Sequence, residues 1–156
     1  MPRIKAAEGL RHGRSRGGAS EVSVSGRSAP LTRAAVARAA GLVLAGERRP
    51  AGLSVNFVGR DRMRALNAQW LGKSRPTDVI AFSLRGPANA LAGDIYICRW
   101  VAVREARTRR LPLRQELLRL VVHGVLHVLG YDHPEGDERE ASAMWRRQER
   151  YVRRLA

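Results

Sequence analysis

Leu117-Leu-Arg-Leu-Val-Val-His123-Gly-Val-Leu-His127-Val-Leu-Gly130-Tyr-Asp-His133 is the stretch on which the reading of this chain turns, because it holds three of its four histidines. On a helix His123 and His127 stand one turn apart on the same face, so their imidazoles can converge on one ion. Gly130 can adopt the left-handed conformation that ends a helix, and the turn Gly130-Tyr131-Asp132 returns His133 towards the first two. Three neutral imidazoles leave a fourth position for water, the arrangement of a catalytic zinc. A single histidine here would be read as a core or surface residue; three at helix-and-turn spacing point to a metal.

Working outward, Pro112 sits where proline is tolerated, at the first turn of a helix over 113–129. Leucines and valines cover most sides of that helix, which is expected to be the buried central one and to fix His123 and His127 in a low-dielectric setting. Glu116 lies two turns before His123 on the same face and is expected to orient a ligand. Asp132 either orients an imidazole or stabilises the turn. Beyond the histidines, Asp137 with Glu140 offers a capping pair for a last helix, with Ala141, Met144, Trp145, Val152 and Leu155 inward.

Before the histidines the periodicity alternates between strand and helix. Strands are expected over 21–25, 53–58, 79–84 and 94–98, the last two joined as an antiparallel hairpin, with Ile80, Phe82 and Leu84 sharing a face. Helices are expected from the cap Thr32 to near Gly46, over 61–71 with Met63, Leu66 and Trp70 inward, and over 99–110 anchored by Trp100 and Val103.

The chain of 156 residues fits one domain, read as residues 21–156 behind a flexible basic tail over 1–20, where His12 is a solvated bystander. No run of about 18 apolar residues is present to span a bilayer, and Cys98 is the only cysteine, so a cytoplasmic protein without disulfides is expected. The tail lacks the apolar core of a secretory signal, and its poverty in acids leaves organelle import as a lesser alternative. Against 14 acidic residues stand 29 basic ones, all arginine except Lys5 and Lys73, giving a formal charge of +15. That charge suits a polyanion such as nucleic acid, although it also suits solvated helix faces.

The histidine spacing matches a large group of zinc proteases, which place a glutamate general base directly after the first histidine. Here that position is Gly124, so peptide hydrolysis is disfavoured. Phosphodiester hydrolysis suits the remaining groups, because Lys73, Arg75 or Arg85 can neutralise charge developing on phosphate.

His123-Gly-x-Leu-His127-x-x-Gly-Tyr-Asp-His133 resembles the signature of the YbeY family of metal-dependent endoribonucleases. Pro76-Thr-Asp78-Val with Phe82, and Gly93-Asp94-Ile95, resemble its second and third blocks in the same order. The resemblance implies a compact α+β domain with a small mixed sheet, one Zn2+ held by His123, His127 and His133 with water, and a basic channel in which Lys73, Arg75 and Arg85 meet RNA. It further implies action on single-stranded and ribosomal RNA, maturation of the small-subunit 3′ end, ribosome quality control, and association with ribosomal components. The family carries a functional arginine where this chain has Leu71; either Arg75, assigned with His123 to catalysis, substitutes for it or activity is reduced. The alternative is a binding factor for ribosome assembly whose zinc is structural.

Overall fold

The computed structural model describes residues 4–5 and 19–156 of the chain. The tail expected over 1–20 falls mostly outside these residues. Within it Ile4–Lys5 (β1) form a two-residue strand where a flexible tail is expected, paired in parallel with Phe82 and Ser83.

From Glu21 the elements follow the alternation of periods. Strand β2 (Glu21–Ser25) leads through helix α1 (Arg33–Gly46) to β3 (Gly52–Val58), which lies parallel to it. Parallel neighbours require a crossover, and α1 supplies it. The Thr32 hydroxyl accepts the Ala35 amide at 3.0 Å, capping α1 as its residue type favours. Helix α2 (Arg60–Leu71) then leads to the antiparallel hairpin of β4 (Val79–Arg85) and β5 (Leu91–Cys98). Strand β5 also pairs in parallel with β3, so the mixed sheet has the order β1-β4-β5-β3-β2.

The two faces of this sheet carry different loads. Val79 and Ala81 of β4 join Val55, Ile95 and Ile97 in the main core with α1, helix α4 (Leu113–Val128) and helix α5 (Ala143–Leu155). The alternate residues Ile80 and Phe82, with Leu84 beside them, face Met63 of α2 in a smaller cluster. The period of two in a single strand thus serves both layers. Every residue of α4 from Glu116 to Val128 is buried. Each Leu or Val so enclosed stabilises the fold by roughly 1.5–3 kcal/mol, and the polar residues among them must find partners.

Two glycines set how closely α4 lies on the sheet. A Cβ on Gly124 would fall 2.6 Å from Ile95 Cγ2, and one on Gly93 would fall 2.5 Å from Val128 Cγ1. Any larger residue at either position would push helix and strand apart.

Four expectations are corrected. Trp70 is 40% exposed and meets Phe82 edge-on at 5.3 Å, forming a rim because Met63 already fills the cluster beneath α2. On helix α3 (Arg99–Arg109) the buried positions are Ala102 and Ala106. Small residues bring that helix close, leaving Trp100 outside, where Arg104 stacks on it at 4.5 Å, and Val103 only half-buried. Asp137 falls in a short 3-10 turn, Gly136–Arg139, and Ser142 caps α5 by accepting the Trp145 amide at 3.1 Å. Ala141 therefore precedes the helix and is exposed.

Candidate metal centre

The C-terminus of α4 builds the site. Its last turn closes with the Gly130 amide donating to the His127 carbonyl and the Tyr131 amide to the Leu126 carbonyl, both at 3.0 Å. This paired closure needs a left-handed residue, and Gly130 supplies it with φ of 104°. The chain is thereby reversed, and His133 comes back over the helix end.

The three imidazoles converge through one edge each. His127 Nε2 lies 3.0 Å from His123 Nε2, and His133 Nε2 lies 3.3 Å from it. Tetrahedral zinc with bonds near 2.0–2.1 Å separates its nitrogen ligands by about 3.3 Å, so the spacing fits such an ion. The outer nitrogens fix the chemistry further. His123 Nδ1 is 2.6 Å from the Gln148 side-chain oxygen and His133 Nδ1 is 2.7 Å from the Pro134 carbonyl. Each oxygen can only accept, so each Nδ1 donates and both Nε2 atoms present lone pairs to the same point. Two lone pairs 3.3 Å apart repel unless a cation or proton stands between them. Among the described residues, His123, His127 and His133 form a group that could hold a metal ion.

Burial keeps these rings neutral. Burial, then the neighbouring His127, holds His123 well below the usual imidazole value, while burial and His133 bring His127 to about 4. Burial lowers His133 as well. Neutral imidazole is the ligating form. Asp132 reaches 3.5 Å from His127 Nδ1, an ion-pair distance without hydrogen-bond geometry, so the acid that sequence placed in the turn also faces a ligand.

His133 is the least buried ligand and opens into a cleft shared with Leu71, Lys73, Arg75, Asp78 and Arg139. Lys73 and Arg75 are thus brought to the site. Arg85 is not: it ends β4 opposite Leu91, with its guanidinium 3.5 Å from the Asn89 carbonyl. The Asp78 carboxylate accepts the Val79 amide at 2.8 Å and lies 3.4 Å from Arg139. Burial opposes its ionisation, but Arg139, with His123 behind it, holds Asp78 below the ordinary carboxylate value.

Glu116 does not reach His123, contrary to expectation. It pairs with Arg119 at 3.1 Å, which binds Glu149 at 2.7 Å; the ligand's partner is Gln148, on α5. Gln148 and Arg139 were missed. A fully buried Gln148 between Met144 and Val152, on the inward stripe of α5, was the available signal. Arg139 gave none, because its neighbourhood is a polar turn.

A family model described as Endoribonuclease YbeY matches residues 28–156. The chain is similar to the Endoribonuclease YbeY of Chromohalobacter salexigens, with 45% identity over 95 residues covering 59% of this chain and 60% of that one. With the protein of the same description from a Sulfurihydrogenibium species it shares 40% identity over 106 residues, covering 66% and 69%. The match to the first of these spans about three fifths of the relative's length. A solution structure from Thermotoga maritima superposes with a TM-score of 0.61 at 29% identity, covering 86% of this chain and 88% of that one.

Proposed function

The chain belongs to the YbeY endoribonuclease family, and from that premise we propose that it is a zinc-dependent hydrolase cutting single-stranded RNA, with ribosomal RNA as its substrate. The observation that carries this reading is the convergence of three Nε2 atoms, one of them on His133, which lines a cleft together with Lys73, Arg75 and Arg139. When bound, the ion supplies Lewis acidity towards a phosphoryl oxygen and an attacking water.

The chain's own residues do the rest. His123, His127 and His133 hold the ion, and their neutrality leaves its charge undiminished. Lys73 and Arg75 bind the phosphate on either side of the cut and neutralise charge as it develops. Asp78 holds Arg139 against the same cleft. At Gly124 no side chain can act as base, and Ile95 fills the space that one would need. This packing supports phosphodiester rather than peptide hydrolysis.

The wider role in this reading is maturation of the small-subunit ribosomal RNA 3′ end and ribosome quality control in the cytoplasm, alongside ribosomal components. The formal charge of +15 favours such a polyanionic partner. Among the described residues no helix is long and apolar enough to cross a membrane. The direct test is incubation of zinc-loaded protein with single-stranded RNA. Cleavage above the His127→Ala control is expected, and equal rates would refute the reading.

Leu71 on the cleft wall favours a second reading, a ribosome-assembly factor that binds RNA around a structural zinc. Replacing Leu71 by arginine separates the two. An increase in cleavage is expected for an enzyme short of one cation, and a structural site would not respond.

A further inference from the structure

Behind His123 lies a chain of polar contacts that begins on its own helix and returns through another. Glu116 and Arg119 of α4, both buried, pair at 3.1 Å. Arg119 meets Glu149 of α5 through two bonds, Nε to Oε1 at 2.7 Å and Nη2 to Oε2 at 3.1 Å. The neighbouring Gln148 donates from Nε2 to Glu149 Oε1 at 3.2 Å and offers its own Oε1 to His123 Nδ1 at 2.6 Å.

Each link constrains the next. A carboxylate engaged by a guanidinium fork only accepts, so Glu149 attracts the amino end of Gln148 and repels the carbonyl end. The amide is therefore oriented, with its oxygen towards His123. Facing an oxygen, Nδ1 keeps its hydrogen and Nε2 is left bare. Fully buried, Gln148 has no water with which to exchange these bonds.

We propose that Gln148 is a positioning residue for the metal centre: oriented by the Arg119–Glu149 pair, it locks His123 in the Nδ1–H tautomer and aims the Nε2 lone pair at the ion. This rests on the metal-binding reading above, but the tautomer is a property of the metal-free protein and can be measured there. The relay spans 33 positions, from Glu116 to Glu149, and reaches the ligand through its outer nitrogen alone.

Long-range 1H–15N spectra of the metal-free protein test it directly. In the wild type, His123 should show a protonated Nδ1 and an unprotonated Nε2. Gln148→Met keeps the volume and removes the acceptor; His123 should then show a mixture of tautomers, and zinc affinity should fall on the order of 10–100-fold. His133, whose Nδ1 bonds to Pro134, is the internal control and should keep its single tautomer. Glu149→Leu leaves Arg119 paired with Glu116 and frees the Gln148 amide to turn, so an intermediate mixture is expected. A protonated Nε2 on His123 in the wild type would overturn the proposal whether or not the variants fold. So would a Gln148→Met protein with an unchanged tautomer and unchanged zinc affinity. A wild type with the expected tautomer that binds no zinc would instead refute the metal reading and leave the relay standing.

Discussion

His123 and His133 belong to one group, yet they are held in opposite ways. His123 is 1% exposed, on a helix pinned by glycine contacts to the sheet and braced from behind by α5. His133 stands half-buried on a turn, braced by the next residue's carbonyl and by the reversal at Gly130. The buried side sets geometry, because packing and paired charges leave its ligand no alternative. On the open side are the cations that meet substrate in the proposed function, where solvent and side-chain freedom are useful. In the proposed function, placement of the ion and recognition of the phosphate would therefore be divided between two differently built walls.

Breaking the buried wall should have the largest effects. His127→Ala should abolish stoichiometric zinc in metal analysis, since two ligands cannot retain it against water. Gly124→Glu, the change that would imitate a protease, drives a side chain into Ile95 and buries a carboxylate without a partner. A loss of about 3 kcal/mol or more is expected, a fall in Tm of roughly 6–12 °C by calorimetry.

Behind the turn that carries His133 lies Glu47, whose carboxylate accepts the Tyr131 hydroxyl at 2.6 Å, the Tyr151 hydroxyl at 2.7 Å and the Arg147 guanidinium at 3.0 Å. Burial opposes its ionisation, but these three partners outweigh it and hold Glu47 below its ordinary 4.5. A carboxylate lowered in the folded state stabilises it fully above the unfolded value and loses that contribution as pH falls through the folded one. Acid titration of stability should therefore show a loss below about pH 4.5 that is smaller in Glu47→Gln. At pH 7 that variant should be less stable by about 1.5–3 kcal/mol.

The open wall should be nearly silent in stability. Lys73→Ala and Arg75→Ala should each change unfolding free energy by no more than about 0.5 kcal/mol. Each should also reduce the salt dependence of RNA binding by about one phosphate contact. Arg85→Ala, outside the cleft, should have the least effect, and a slope change equal to that of Arg75→Ala would extend the binding surface along β4.

The same division explains what could be read from sequence. The strand over 21–25, the Thr32 cap, the hairpin and the buried central helix were legible because each rests on local periodicity or on a residue type with one dominant use. His123, His127 and His133 were legible for a similar reason, since helix pitch and one glycine determine where they go. Gln148 was not, because a polar residue on the inward stripe of α5 signals only that some buried partner exists, and that partner lies 25 residues away on another helix. Glu116 was misjudged on the same ground: sharing a face with His123 was mistaken for reaching it, while Arg119 stood closer. The outward tryptophans, Trp70 and Trp100, show that aromatic bulk does not decide burial when smaller residues already fill the space beneath.

Tyr131 lies between His127 and His133, and its hydroxyl bond to Glu47 joins positions 84 residues apart. In the proposed function the ion would be held by two enclosed imidazoles and by one on this turn, so a swing of the turn would detach one ligand. On that reading metal residence time would depend on how firmly the turn is held, by a phenol latched to the end of the first helix, as well as on the strength of the nitrogen ligands.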